Sequence, residues 1–223
     1  MLARFSVAYE HFCRLLLAVF VVNVAILVHT LLGAVLLGFA PSCAAAQVTF
    51  RTWILSEDRS MSVKEVWRIF HAAWKKEFKQ ANLFGWTLTA VWAVILLDYY
   101  VMNWHARGTF DVGISGVLLV LAVVLALFTK LVWVVRANYD ERPAWIIRTT
   151  LSMIIARPLC SLLLTGLTIL TILAWAQWPG LLMVFGLALP MFCTIWVVYA
   201  FGKLPGMDMR DRKQPNPALA ASR

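Results

Sequence analysis

The sequence has little charge, and its longest stretches carry none at all. Only 14% of its 223 residues are Asp, Glu, Lys or Arg, whereas 62% are hydrophobic. A soluble globular protein is typically about one quarter charged and about half apolar. The composition therefore excludes an ordinary soluble domain and indicates a protein that lives in a membrane.

Cysteine is also scarce, and its spacing excludes the usual metal and redox motifs. No two of the four cysteines lie within three residues of each other, so neither a zinc-type nor a thioredoxin-type pair exists. The chain also has no phosphate-binding loop, dinucleotide fingerprint or paired carboxylates. We therefore predict no disulfide, no metal, no cofactor and no catalytic residue.

Five apolar runs are long enough for membrane helices, since a bilayer core takes about 20 residues of helix. They are Leu15–Gly38, Leu83–Trp104, Ile114–Thr129, Leu159–Ala176 and Leu181–Phe201. Pro190 leaves the Gly186 carbonyl without a helical partner, which predicts a kink in the last run. We predict an all-α fold, a polytopic membrane helix bundle of about five transmembrane helices plus cytoplasmic amphipathic helices. It would form one domain over residues 1–205, followed by a disordered cytoplasmic tail over 206–223.

The basic residues predict the orientation of this bundle. With five crossings, 17 of the 20 Lys and Arg residues fall on one side of the membrane. Loops rich in Lys and Arg stay in the cytoplasm, so we predict a multi-pass protein of the plasma membrane with its C-terminus inside. The net charge of +9 does not indicate nucleic-acid binding, because the basic residues are distributed as in the cytoplasmic loops of a membrane protein. Residues 41–56 predict a short helix lying at, or dipping into, the inner boundary; if that segment crossed, the N-terminus would be inside.

A basic amphipathic helix is predicted from Ser62 to Gln80. Ser62 and Glu65 have the spacing of a capping box at a helix start, and apolar residues follow at steps of three or four. The helix would lead into the second span, either directly or after a turn. A similar plan recurs before the fourth span. Its apolar face is predicted to contain Trp145, Ile147, Leu151, Ile154 and Ile155.

The densest part of this first amphipathic helix is the candidate docking surface. It combines aromatic and basic residues just before the apolar run that starts at Leu83: Trp67, Phe70, Trp74, Lys75, Lys76, Phe78 and Lys79. One interpretation places these residues against the anionic inner leaflet, where each Lys or Arg contributes about 1 kcal/mol. A second packs the aromatic stripe on the protein's own inner segments, and a third makes it a docking face for a partner protein. All three remain open on the sequence.

Ionisable residues inside predicted spans are the remaining functional candidates, because they are costly in lipid. His29 in the first span and Asp98 near the outer end of the second form the candidate polar site. Asp98 also fits a boundary carboxylate without a function. Gly113–Gly116 matches the G-x-S-G pattern of an intramembrane serine protease, but the later spans have no histidine to act as base. We therefore predict that the protein is not an enzyme.

Three stretches resemble the YesL family, a group of bacterial membrane proteins with a domain of unknown function. They are GFAP at 38–41, the block VWRIFHAAWKKEFKQANLFGW at 66–86 with ILLDYY after it, and ARP at 156–158. The resemblance implies an association with carbohydrate uptake and utilisation, beside sugar transporters of the ATP-binding-cassette (ABC) type.

The residues and the resemblance together favour an accessory or regulatory membrane protein. Its expected partners are the lipid bilayer, subunits of a sugar ABC transporter and further copies of itself. The alternative is an oligomer that transports or conducts a small solute on its own. The shortage of polar residues within the spans argues against that alternative.

Overall fold

The computed structural model describes residues 2–56, 61–105 and 109–202. These residues form eight helices and no strand, which confirms the all-α prediction. The helices are α1 Leu2–Leu32, α2 Phe39–Leu55, α3 Val63–His105, α4 Thr109–Asn138, α5 Pro143–Ala156, α6 Pro158–Gln177, α7 Pro179–Val184 and α8 Ala188–Phe201. The predicted tail at 206–223 lies outside the described residues.

Four helices contain segments long and apolar enough to cross a membrane. These segments are Phe12–Leu32, Val63–Met102, Gly113–Asn138 and Pro158–Gln177. The fifth predicted span, Leu181–Phe201, is not one continuous helix. It consists of part of the six-residue α7 and the 14-residue α8, separated by a turn at 185–187. The expected kink in this run is therefore a complete break.

Proline and glycine together explain where the fifth run breaks. Pro190 has no N–H to donate to the Gly186 carbonyl, and Gly186 has a φ of +31°, which a residue with a side chain rarely adopts. The last carbonyls of α7 are instead satisfied from α1. The side-chain amide of Asn23 donates to the Met183 carbonyl at 3.1 Å and to the Val184 carbonyl at 3.2 Å.

The first apolar run also ends earlier than the sequence predicts, at Leu32 instead of Gly38. The chain reverses through a turn in which Ala34 and Val35 have φ angles of 53° and 64°. Such angles are unusual for a β-branched residue such as valine. The turn is closed by its own backbone hydrogen bonds, including Val35 N–H to the Thr30 carbonyl at 2.8 Å. Internal bonding of this kind is what an apolar environment demands of a non-helical segment.

Helix α2 lies inside the bundle, whereas the sequence predicts a helix lying at, or dipping into, the inner membrane boundary. It packs against α1, α3, α4 and α8, and 12 of its 17 residues are buried. Its N-terminal half is made of small residues, which let helices approach closely. The two helices approach closely at Gly85 of α3, where an added Cβ would lie 2.4 Å from the Cβ of Ala40.

Helix α3 runs without a break through 43 residues, so the predicted basic helix continues directly into the second span. Its start is capped as expected, because the Glu65 N–H donates to the Ser62 hydroxyl at 3.2 Å. At 1.5 Å per residue the helix is about 64 Å long. A bilayer core is about 30 Å thick, so a large part of α3 extends beyond it.

Helix α5 is present where the second amphipathic helix is predicted, but its buried face is mostly different. The buried residues are Ile146, Thr150, Met153 and Ile154. Trp145, Ile147, Leu151 and Ile155 are exposed, so of the predicted face only Ile154 is buried. The error has a simple origin: the helix has apolar residues on several faces, and its periodicity does not select one.

We expect Gly85→Leu to destabilise the full-length protein strongly, because the new side chain would push α2 away from α3. Overpacking of this kind typically costs about 1–3 kcal/mol. Gly166→Leu is the matched control, since Gly166 lies in a spanning helix with no atom within 4 Å of an added Cβ. Thermal unfolding in mild detergent measures both variants. Equal unfolding temperatures would contradict the close packing of α2 on α3.

Asn23→Leu should also destabilise the protein, by about 1–3 kcal/mol, because it leaves two α7 carbonyls without their donor. Thr168→Val provides the control, since the Thr168 hydroxyl bonds only the Leu164 carbonyl of its own helix. The same unfolding assay tests both substitutions. A loss in Asn23→Leu no larger than that in Thr168→Val would show that Asn23 does not hold the broken helix.

Candidate functional site

Two histidines, His29 and His71, join the end of α1 to the first part of α3. The sequence predicts that this part of α3 is cytoplasmic. His29 is fully buried. Its Nδ1 lies 2.9 Å from the Ala25 carbonyl oxygen, and its Nε2 lies 2.9 Å from Nδ1 of His71. A carbonyl only accepts, so His29 Nδ1 carries the proton and, in a neutral ring, Nε2 accepts from His71. The pair therefore fixes the tautomer of both rings.

The aromatic residues of the candidate docking surface surround His29. The ring centroids of Trp67, Phe70 and Trp74 lie 5.2, 4.9 and 5.5 Å from that of His29. Phe70 is fully buried, and Trp67 and Trp74 are half-buried. Phe78 is half-buried as well and contacts Trp74, with their centroids 4.9 Å apart. These side chains thus pack on the protein's own α1 and on one another.

The lysines of the same surface face outward. Lys75, Lys76 and Lys79 are exposed. Lys76 approaches Asp140 at 3.6 Å, but both side chains are largely exposed, and such pairs contribute little to stability. The basic residues therefore stay available to a lipid headgroup or a partner, and their role remains a prediction.

Asp98 is exposed and lies far from His29. Because α3 is continuous, Asp98 is 24 residues, or about 36 Å, along the helix from Trp74, which contacts His29. The two residues of the candidate polar site are therefore not brought together. Ser115 is the serine of the G-x-S-G pattern. His29 cannot act as its base, because one ring nitrogen of His29 bonds the Ala25 carbonyl and the other bonds His71.

An ion pair inside the bundle, which the sequence analysis does not identify, fastens α4 to α3. Arg136 Nε lies 2.6 Å from the Glu77 carboxylate, with side-chain exposures of 5% and 12%. The same guanidinium donates to the Gln80 side chain and lies 5.8 Å from the centre of the Phe84 ring. The sequence does contain a signal for this pair, because Arg136 directly follows the apolar run LVWVV. A charged residue in such a position usually has an oppositely charged or hydrogen-bonding partner.

Asn138, at the end of α4, holds three helices together near this ion pair. Its side-chain oxygen accepts from Arg51 Nε of α2 at 3.0 Å and from the Tyr199 hydroxyl of α8 at 2.5 Å. Tyr139 is the next residue. Its pKa is raised mainly by burial and to a lesser extent by the neighbouring Tyr199, so its hydroxyl stays protonated. The two hydrogen bonds to Asn138 therefore tie α2 and α8 to the end of α4.

An apolar groove opens sideways between the α1–α2 turn, α2, α3 and α4. It has a volume of about 360 Å³. The principal lining residues are Val35, Leu36, Phe39, Ala40, Cys43, Asn82, Gly85, Trp86, Leu88, Thr89, Trp92, Thr129 and Trp133. Three tryptophans line it, and Trp92 Nε1 donates to the Thr129 hydroxyl at 3.1 Å. Within the described part of the chain, no three His, Cys, Asp or Glu residues are grouped as metal ligands. The groove is therefore suited to an apolar ligand.

We expect Arg136→Met to destabilise the protein by about 3–5 kcal/mol, because it leaves the Glu77 carboxylate buried without its partner. Lys76→Met is the control, since it removes a similar charge from the exposed pair with Asp140. The double substitution Arg136→Met with Glu77→Leu should recover much of the loss. Unfolding temperatures of the full chain measure all three, and an Arg136→Met variant as stable as Lys76→Met would refute the argument.

Comparison with known proteins shows that part of the chain is similar to a described family. Residues 19–99 match the family described as "Protein of unknown function, DUF624". This range contains the histidine pair, α2, Glu77 and most of the groove. The chain is 26% identical to "Uncharacterized protein YteU" of Bacillus subtilis (strain 168) over 194 residues, which are 85% of this chain and 82% of that protein.

A second relative covers a shorter stretch. "Uncharacterized protein YesV" of the same organism is 31% identical over 77 residues, or 34% of this chain and 35% of that protein. No solved structure matches the chain. The resemblance noted in the sequence is thus supported at the level of a family of unknown function, with helices compatible with a membrane protein.

Proposed function

We propose that this is a non-enzymatic protein of the plasma membrane that assists or regulates a carbohydrate-uptake system of the ABC type. The apolar helices support the membrane location, and the match of residues 19–99 to DUF624 supports membership of a family of unknown function. The carbohydrate-uptake role depends on the resemblance of the chain to the YesL family alone. Within that family of unknown function, we assign the chain to the YesL group. Its C-terminus would be cytoplasmic, where most of its basic residues would lie.

The observation that carries an accessory role is the outer face of α6. Only Cys160 and Leu164 of its 20 residues are buried. The exposed face includes a stripe with helical spacing, Leu162, Gly166, Ile169 and Leu173. An added Cβ on Gly166 would meet no atom within 4 Å. Leucines around a glycine form a notch into which another membrane helix fits closely.

The alternative function, transport by the protein itself, has one observation in its favour. Transporters often contain discontinuous helices whose ends bind the substrate, and α7–α8 is such a helix. In this protein, however, the carbonyls of Met183 and Val184 at the end of α7 are already bonded by Asn23. These carbonyls are therefore not free to bind a substrate, which favours the accessory role over transport.

Mild-detergent purification of the tagged full-length protein from its own host, followed by mass spectrometry, tests the proposal. We expect subunits of a sugar ABC transporter to copurify with the unaltered protein. Gly166→Leu should reduce their yield at least several-fold, because the new side chain fills the notch on α6 without touching the rest of the fold.

The control is Gly116→Leu, which also adds a side chain to a glycine with open space around it, but on α4. It should copurify the same subunits as the unaltered protein. Failure to recover any transporter subunit would refute the proposal. Uptake of a sugar into vesicles that contain this protein alone would replace it with the transport alternative.

A further inference from the structure

The apolar groove lies at the level of the spanning helices and opens toward the surface of the bundle. Val35, Leu36 and Phe39 form one wall, and all three are exposed large hydrophobic residues. Trp86 on the opposite side is exposed as well, and Thr89 beside it is an exposed small residue. A surface of this kind is reached from lipid, and its volume of about 360 Å³ suits part of a long apolar molecule.

One polar group in the groove lacks a hydrogen-bond partner. The Asn82 amide nitrogen donates to the Phe78 carbonyl at 2.8 Å. Its side-chain oxygen is buried and accepts no hydrogen bond from any described residue. An unsatisfied buried acceptor costs about 1–3 kcal/mol. Asn82 lines the groove, and a ligand hydroxyl that displaced the side chains around this oxygen would remove the penalty.

The groove continues into a line of positive charge along α3. Residues spaced by three and four share a helix face, and Asn82, Trp86 and Thr89 have this spacing with Lys75 and Lys79. Along the axis, Lys79 is about 4.5 Å and Lys75 about 10.5 Å from Asn82. Both lysines are exposed. The same face thus presents two cations, then a hydrogen-bond acceptor, then an apolar groove.

We propose that this groove binds one anionic phospholipid of the bilayer. An acyl chain occupies the space between Phe39, Trp86 and Trp133, the glycerol end of the molecule lies at Asn82, and the phosphate is bound by Lys75 and Lys79. A carbohydrate does not fit this lining, because its hydroxyls need several polar partners and the groove offers few. A zwitterionic lipid such as phosphatidylcholine also has a phosphate, but its headgroup cation would lie near the two lysines and oppose the attraction.

Native mass spectrometry of the full-length protein in mild detergent tests the site, with phosphatidylglycerol and phosphatidylcholine of identical acyl chains as probes. One phosphatidylglycerol should bind more tightly than phosphatidylcholine. Two basic residues near a lipid surface account for a preference of about 30-fold, which corresponds to ~2 kcal/mol. Lys75→Gln with Lys79→Gln should reduce that preference close to one.

Lys64→Gln with Arg68→Gln is the matched control. It removes the same charge from the same helix, but the nearer position is 14 residues, or about 21 Å, from Asn82. This variant should keep the preference for phosphatidylglycerol. Thr89→Phe fills the groove from an exposed position and should weaken the binding of both lipids several-fold while leaving their ratio unchanged.

Three results would overturn the proposal. Phosphatidylglycerol and phosphatidylcholine could bind equally, the two charge variants could behave alike, or a folded Thr89→Phe variant could bind phosphatidylglycerol as tightly as the unaltered protein. The last result would mean that the lysines bind the headgroup without the groove. The lysine variants alter only exposed side chains, so they decide the question even if Thr89→Phe fails to fold.

Discussion

The architecture depends on the close contact between Ala40 of α2 and Gly85 of α3. An added Cβ at Gly85 would lie only 2.4 Å from that of Ala40, so a side chain there cannot be accommodated without moving a helix. This contact holds α2 in the centre of the bundle, where it packs on four other helices. The groove exists because α2 and the preceding turn stand beside α3 at this height. The bond from Arg51 to Asn138 likewise requires the far end of α2 to reach the end of α4. Small residues thus set the positions of the larger and more polar ones.

Several buried polar side chains of this largely apolar molecule lie where helices end or meet. Asn23 bonds the carbonyls that the break before α8 leaves free, and His29 binds the first part of α3 through His71. Arg136 and Glu77 neutralise each other between α3 and α4. An unpaired polar group in an apolar interior is costly, whereas a fully bonded one fixes a single arrangement. These residues therefore help to specify which helices are neighbours, and close van der Waals packing of the apolar side chains adds to the stability.

The class of fold could be predicted from the sequence because it depends on the length and apolarity of the runs, and the start of α3 could be predicted from the cap at Ser62. The details that failed depend on distant partners. The turn before α2 needs positive φ angles at Ala34 and Val35, which no residue pattern signals. The burial of α2 cannot be predicted in this way, because its small and polar residues resemble those of a surface helix. Their position inside depends on Gly85 of α3, whose missing side chain leaves room for Ala40. The aromatic stripe on α3 was found, yet its partner, His29, is more than 30 residues away in the sequence.

Helix α3 carries the histidine pair, the basic line and one wall of the groove on a single unbroken element. A continuous helix transmits a displacement along its axis, because its backbone hydrogen bonds leave no hinge. The ion pair to Arg136 lies between the histidine pair and the groove, and it ties this element to α4, the opposite wall. A displacement of the first half of α4 would therefore act against an end that this ion pair fixes. The remaining groove residues belong to separate elements: Val35 and Leu36 lie in the turn after α1, and Phe39 begins α2.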